Sequence, residues 1–267
     1  MLKYKYDQQA IASAIKTKWA GKTVHFAKVT DSTNNWLKQL AKEGAPEGTI
    51  AIADYQSAGK GRLGRVWTAP PDTSATFSLL VRPTFAPEYA SMMTLIMGLS
   101  VAQAVRELGL PAQIKWPNDA VVSRKKICGI LTEMALAGNQ IDYVVIGTGI
   151  NVNIPEIIPE LSDKATSFYL ETGKEFDRCE VLALVLQYFE HNYEKYAQTC
   201  DLSEIREAYE ELLANKGEPV RVLCEEPYEG ICLGINDRGE LLVEKEDGTV
   251  SCVNSGEVSV RGLYSYV

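Results

Sequence analysis

The sequence predicts an α+β fold, a mixed β-sheet with helices packed on it, followed by a small all-β tail. Two observations carry this. From residue 8 to about 214, segments with helical apolar spacing are interspersed with strand-patterned runs, whereas beyond Gly217 only short β-patterned runs remain, joined by tight-turn sequences. The division falls at 214/215, giving units 1–214 and 215–267. A chain of 267 residues with 46% apolar content is long enough to bury one large core and a small one.

A first helix is expected over residues 8–18 and a short strand over 23–26. Asp31-Ser32-Thr33 then offers N-caps to a helix whose Trp36, Leu37, Leu40 and Ala41 recur at helical spacing, with Gly44 as its stop. Strands are expected over 49–55 and 76–82, the second alternating Phe77, Leu79 and Val81 toward one side. The longest helix should run over 88–108, carrying Met92, Leu95, Ile96, Leu99, Ala102 and Val105, and stop at Gly109. The chain then becomes β-rich, with strands over 113–116, 120–122, 127–135 and 143–147. Asn118 and Asp119 fall on a turn, and Lys126 at the start of the next strand. Helices over 178–196 and 202–214 close the large unit. In the tail, strands are expected over 220–224, 229–235, 241–244, 249–253 and 258–260, with Asn236-Asp237-Arg238-Gly239 and Glu246-Asp247-Gly248 as hairpin turns.

Chemistry concentrates in Gly59-Lys60-Gly61-Arg62-Leu63-Gly64-Arg65-Val66-Trp67. Glycines expose backbone N–H groups to a ligand, and Lys60, Arg62 and Arg65 supply countercharge. In a chain of net charge −8, such a cluster asks for an anion. Gly59, Gly61 and Gly64 satisfy G-x-G-x-x-G, but Trp67-Thr68-Ala69-Pro70-Pro71 opens no helix and no acid follows about 20 residues on, so a dinucleotide fold is excluded. Arg65-Val66 stands where a Walker A loop needs Lys and Ser/Thr.

Composition narrows the class further. No apolar run approaches about 18 residues and the start lacks a signal-peptide core, so no membrane is expected and the location should be cytoplasmic. Six scattered cysteines without a C-x-x-C pair read as free thiols, and no metal site is spelled out. His25 and His191 lie near no acid or nucleophile motif. From Lys216 onward five Lys+Arg face ten Asp+Glu, which argues against nucleic acid.

Gln56-x-x-Gly59-Lys60-Gly61-Arg62-x-Gly64-Arg65-x-Trp67 resembles the ligand loop of bacterial biotin protein ligases, which usually carry arginine where Lys60 stands. Four further motifs are similar in order and spacing: Asp31-Ser32-Thr33-Asn34, Lys115-Trp116-Pro117-Asn118-Asp119, Lys126-x-x-Gly129-Ile130-Leu131-x-Glu133 and Gly147-x-Gly149-Ile150-Asn151-Val152-Asn153. Together they span residues 30–153. The resemblance implies a class II synthetase-like biotin/lipoate ligase catalytic domain ending in an SH3-like barrel. It implies ATP-dependent activation of biotin as biotinoyl-5′-AMP, with Mg²⁺, and transfer to a lysine of a biotin carboxyl carrier protein. It implies a homodimer as well.

On the same ground Lys126, Asp119 and Arg62 are the catalytic candidates. Biotin falls to Ser32, Thr33, Asn34, Gln56, Lys60, Gly61, Arg62, Lys126 and Gly129. ATP and the adenylate fall to Gly59, Lys60, Arg62, Arg65, Trp67, Asn118, Asp119, Lys126 and Asn151. Asp119 is left with two roles, Mg²⁺ ligand or acceptor of the amine proton, and Trp67 and Trp116 are both candidates to stack on adenine. About 22 residues precede the first family-like strand, which leads us to expect a monofunctional enzyme without a DNA-binding domain. The competing readings are a lipoate or octanoate ligase of the same superfamily and a biotin-responsive regulator.

Overall fold

The computed structural model describes residues 4–255, 259–262 and 266–267. The chain begins with α1 (Gln8–Ala14), whose N-cap Asp7 accepts from the Ala10 N–H at 2.9 Å. The helix is shorter than expected. Ile15 turns extended because the following segment is captured elsewhere: the Glu190 carboxylate accepts from the N–H groups of Lys18, Trp19 and Ala20 at 2.8, 2.7 and 3.0 Å.

Then follow β1 (Thr23–Thr30), α2 (Thr33–Lys42), β2 (Thr49–Gln56), β3 (Ser74–Val81) and α3 (Met92–Glu107). Next come β4 (Gln113–Lys115), β5 (Asp119–Val122), β6 (Lys125–Ala137) and β7 (Gln140–Asn151). The large unit closes with α4 (Phe168–Thr172), α5 (Arg178–Thr199) and α6 (Arg206–Glu211). With 22 residues against 16, α5 rather than α3 is the longest helix; Pro87 starts a separate 3-10 turn, so α3 begins four residues later than expected.

These strands form one seven-stranded sheet in the order β1-β2-β3-β7-β6-β5-β4. The β1–β2 pair is parallel and the rest are antiparallel, which makes the sheet mixed. Ile50, Ile52, Phe77, Leu79 and Ile146 meet α3 and α5 in the main core. The opposite face is not bare. Leu37 and Ala41 of α2 pack there on Ala51, Leu80, Tyr143 and Val145, so β3 is buried on both sides instead of alternating.

The tail holds β8 (Pro219–Leu223), β9 (Tyr228–Ile235), β10 (Leu241–Glu244), β11 (Val250–Val253) and β12 (Ser259–Gly262). They form a five-stranded antiparallel sheet, β11-β10-β9-β8-β12. Both expected hairpin turns are made, Gly239 and Gly248 taking φ of 76° and 80°. Val258, the expected start of the last strand, lies outside the described residues.

At the edge of the large sheet Ile114 of β4 donates to Leu212 O at 2.7 Å and Ala214 donates back to Ile114 O at 2.9 Å; beside it Trp116 Nε1 reaches the tail, donating to Gly239 O at 3.0 Å. Trp116, 2% exposed, is thus a wedge between the units, its indole N–H turned to the tail.

Candidate active site

The floor of the site is the outer face of β6 and β7, and its walls are the N-terminus of α2 and the loop after β2. Gly129 of β6 pairs with Gly149 of β7, and Leu131 with Gly147. A Cβ at Gly149 would stand 2.4 Å from the Trp67 indole, one at Gly147 2.2 Å from Asn34 Oδ1, and one at Gly129 2.9 Å from Lys126 Nζ. The glycines exist so that other side chains can lie flat on the sheet.

At the N-terminus of α2 the expected cap is not made by Ser32, whose side chain forms no capping bond. Gln56 does the work from the neighbouring strand. Its Oε1 accepts from Thr33 N at 2.7 Å and from Thr33 Oγ1 at 3.1 Å. Asn34 is pinned by Ser78 Oγ at 2.6 Å, by Leu131 O at 3.2 Å and by Glu133 Oε2 at 2.8 Å. Burial opposes ionisation of Glu133, but hydrogen bonds from Lys38 and Asn34 outweigh it and hold the carboxyl below its ordinary value.

The loop closes on itself through Gly61 N to Arg65 O at 2.7 Å and Trp67 N to Gly59 O at 3.0 Å. Lys60 Nζ donates to Asn35 Oδ1 at 2.8 Å, and Arg62 Nη2 donates to Ser255 O, in the tail unit, at 2.5 Å. The loop therefore bridges α2 and the tail.

Lys126 owes its direction to an irregularity. Between Ala120–Cys128 and Val121–Lys126 the β5–β6 register slips by one residue, so Ile127 and Cys128 both enter the core and Lys126 joins the face carrying Gly129. There Lys126 Nζ lies 2.6 Å from Asp119 Oδ1 and 5.8 Å from the Trp67 ring centroid. Asp119 is the first residue of β5, buried, and not on the expected turn. Its other oxygen accepts from the Tyr266 hydroxyl.

Three adjoining cavities meet here. The first is lined by Ser32, Thr33, Asn34 and Gln56 and by Lys60, Gly61, Arg62, Lys126 and Gly129. Trp67 and Asn118 line it too, and Thr76, Ile130, Leu131, Gly147, Thr148 and Gly149 complete it, none of these six anticipated as a site residue. The second, larger and more open, takes in Arg65, Trp67, Lys126 and Asn151, with an apolar side of Ile154, Ile157, Ile158 and Leu161. The third brings five cations, Arg62, Arg65, Lys115, Lys126 and Arg261, around Asn118 and Asp119. Gly59 lines none of the three; a Cβ there would meet Trp67 O at 2.4 Å, so its part is to close the loop. Asn118 Nδ2 donates to Ile130 O at 3.1 Å and Asn151 Nδ2 to Thr166 O at 3.0 Å, so both amides brace the walls.

Sequence reasoning missed two kinds of residue. The glycines had a signal: Gly147-x-Gly149 on a strand places both on one face by the period of two. Arg261 and Tyr266 had none, because only tertiary folding brings the tail here. Among the described residues no group of three or more His, Cys, Asp or Glu side chains is placed to hold a metal ion.

A cleft lined by hydroxyl and amide side chains adjoins a cation-lined one, and Lys126 belongs to both, an arrangement suited to a ligase that joins an acid to a nucleotide. The chain matches the biotin/lipoate A/B protein ligase family over residues 26–151 and the biotin protein ligase C-terminal domain over 217–261. It is 36% identical over 248 residues to the bifunctional ligase/repressor BirA of Bacillus subtilis, covering 91% of this chain and 76% of that protein. With the biotin–[acetyl-CoA-carboxylase] ligase of Mycobacterium tuberculosis it shares 33% identity over 86% of this chain and 85% of that one. The Aquifex aeolicus biotin protein ligase solved in complex with biotin and ATP superposes with a TM-score of 0.79 at 34% identity, covering 90% of this chain and 99% of that one. The chain belongs to the biotin/lipoate A/B protein ligase family, and within it to the biotin protein ligases.

Proposed function

We propose that this site activates biotin with ATP as biotinoyl-5′-AMP and passes the biotinoyl group to a lysine of a biotin carboxyl carrier protein. One observation carries the assignment of roles: Lys126 and Trp67 line all three cavities, so whatever fills them meets at Lys126. Biotin takes the first cavity, the adenosine half of ATP the second with Trp67 as its flat wall, and the phosphates the third. A biotin carboxylate oxygen attacks the α-phosphorus and pyrophosphate leaves; the carrier amine then attacks the acyl carbon and AMP leaves. Carboxylate and phosphate repel one another. Arg62, Lys60, Arg65 and Lys126 offset that repulsion as charge grows at phosphorus.

A purified carrier domain incubated with this protein, ATP and either biotin or lipoate tests the reading by mass spectrometry. Addition of biotin supports it; lipoylation alone would return the assignment to the sister ligases.

Asp119 is the one carboxylate among the described residues lining the phosphate cavity. Mg²⁺ is commonly held by one or two carboxylates together with substrate phosphates; both oxygens of Asp119 already have partners in Lys126 and Tyr266, so the residues lining this cavity do not fit the ion as protein ligands, and Mg²⁺ would be carried by the phosphates of ATP. The ion would neutralise phosphate charge.

Lys115 sets a pH limit. Burial pulls its pKa from the ordinary lysine range down to about 8, although the Asp119 charge opposes the drop. Below that pH the side chain is cationic and attracts phosphate; above it the amine is neutral. Since kcat/KM reports the free enzyme, kcat/KM for ATP is expected to fall about tenfold as pH rises through this value, as one charged hydrogen bond is lost. Lys115→Arg stays charged throughout and should abolish that limb. An identical profile in the variant would clear Lys115 of the role.

The division into 1–214 and 215–267, a cytoplasmic location and a homodimer complete the reading. No helix among the described residues is long and apolar enough to cross a membrane. Of the two outer strands, β4 is covered by residues 212–214, which leaves β1 as the open edge, with Val29 62% exposed upon it. Copies of the chain and the carrier protein would compete for β1. Sedimentation with biotin and ATP should show dimers that dissociate as carrier domain is added; dimers that persist undiminished would rule out a shared surface.

A further inference from the structure

We propose that Tyr266 is a positioning residue of the adenylation step, holding the Asp119 carboxylate in place against the Lys126 ammonium. The proposal rests on the ligase reading above. Residues 266–267 lie against the β5–β6 hairpin, fastened at both ends. At the hairpin tip, where Ser123 and Arg124 take φ of 50° and 60°, Arg124 Nη2 donates to Val267 O at 2.5 Å. At the hairpin base the Tyr266 hydroxyl donates to Asp119 Oδ2. Val267 is 1% exposed, so this segment is packed rather than draped over the surface.

The ring is fixed as firmly as its hydroxyl. Lys115 Nζ stands 4.3 Å from the ring centroid and Arg261 Cζ 6.0 Å from it. Burial, with the Asp119 charge second, raises the hydroxyl pKa far above its ordinary value, so the group remains a proton donor wherever the enzyme works.

Asp119 has two oxygens and two duties. Oδ1 faces Lys126 Nζ at 2.6 Å, and Oδ2 is occupied by Tyr266. Removing the hydroxyl frees the carboxylate to turn toward Lys126 with both oxygens. The ammonium would then be drawn toward β5 and away from the junction of the three cavities, where the reacting carboxylate and phosphorus meet. Tyr266 does not line the first cavity, so biotin binding should be unaffected; it does line the second and third, but there the ring survives in a phenylalanine and only the hydroxyl, which is turned to Asp119, is lost, so ATP binding should change little.

The test is Tyr266→Phe in the full chain, assayed by biotin-dependent pyrophosphate release without carrier protein, with melting temperature measured alongside. A hydrogen bond to a charged group is commonly worth about tenfold or more. The expected result is a fall of about tenfold in kcat, with the KM for biotin and for ATP and the melting temperature unchanged. Wild-type kcat in the variant would overturn the proposal. So would a lower KM for ATP or a raised kcat, which would make the tail a plug competing with nucleotide. A raised KM together with a lowered melting temperature would make Tyr266 an anchor of the tail only, and would overturn it too. Wild-type protein that releases no pyrophosphate with biotin would overturn the ligase reading itself, and the positioning role with it.

Discussion

Lys126→Ala is expected to lose about 10²–10³ in the rate of biotin-dependent pyrophosphate release, the usual cost of deleting one preorganised group where charge develops. The position of the ammonium makes the figure plausible. Its side chain is 25% exposed, it is held 2.6 Å from Asp119, and it stands where the three cavities join. A cation so placed costs no reorganisation when the biotin carboxylate and the α-phosphate approach. Deletion also leaves Asp119 without its cation in a nearly buried setting, so part of any loss could come from the fold. Lys126→Gln separates the two effects: it keeps a donor for Asp119 but no charge, and should be nearly as slow with a melting temperature close to wild type. Wild-type turnover in either variant would end the assignment of Lys126.

Local patterns were legible in the sequence and cross-chain ones were not. The ligand loop, the α2 start and the lysine segment are each contiguous, and all nine residues expected around biotin line one cavity. The errors have separable physical causes. Ser32 looked like the helix cap because serine commonly is one, yet a glutamine 24 positions later supplies the oxygen from the adjacent strand. Lys126 was placed on a regular strand, and nothing in Lys125-Lys126-Ile127-Cys128 spells out the one-residue slip that turns it to the cleft. The β3 alternation suggested one buried face, but α2 returns to cover the other. Nothing in Lys115-Trp116-Pro117 announces that the Trp116 indole N–H is given to the tail unit. The tail was read only through its net charge, and a net count hides the two residues, Arg261 and Tyr266, that reach the candidate site.

Gly149→Ala is the sharper test of the site's shape, because a single methyl group should disable it without touching a charged residue. Gly149 has no left-handed φ, so alanine carries no backbone strain there, and only space is at issue. The new Cβ would fall 2.4, 2.6 and 2.7 Å from Trp67 Cε2, Cζ2 and Nε1. The backbone cannot retreat, since Gly149 is paired to Thr76 of β3 on one side and to Gly129 of β6 on the other. Trp67 must therefore leave the floor. Overpacking of this kind costs about 1–3 kcal/mol; displacement of the indole should lower kcat/KM for ATP, because Trp67 walls the second cavity. Trp67→Ala supplies the control. If the clash is the cause, adding Trp67→Ala to Gly149→Ala should cost much less than it does in the wild type, since the methyl group then fills vacated space. Additive losses in the double variant, or wild-type kcat/KM for ATP in Gly149→Ala, would show that the indole does not rest on this glycine when the enzyme binds nucleotide.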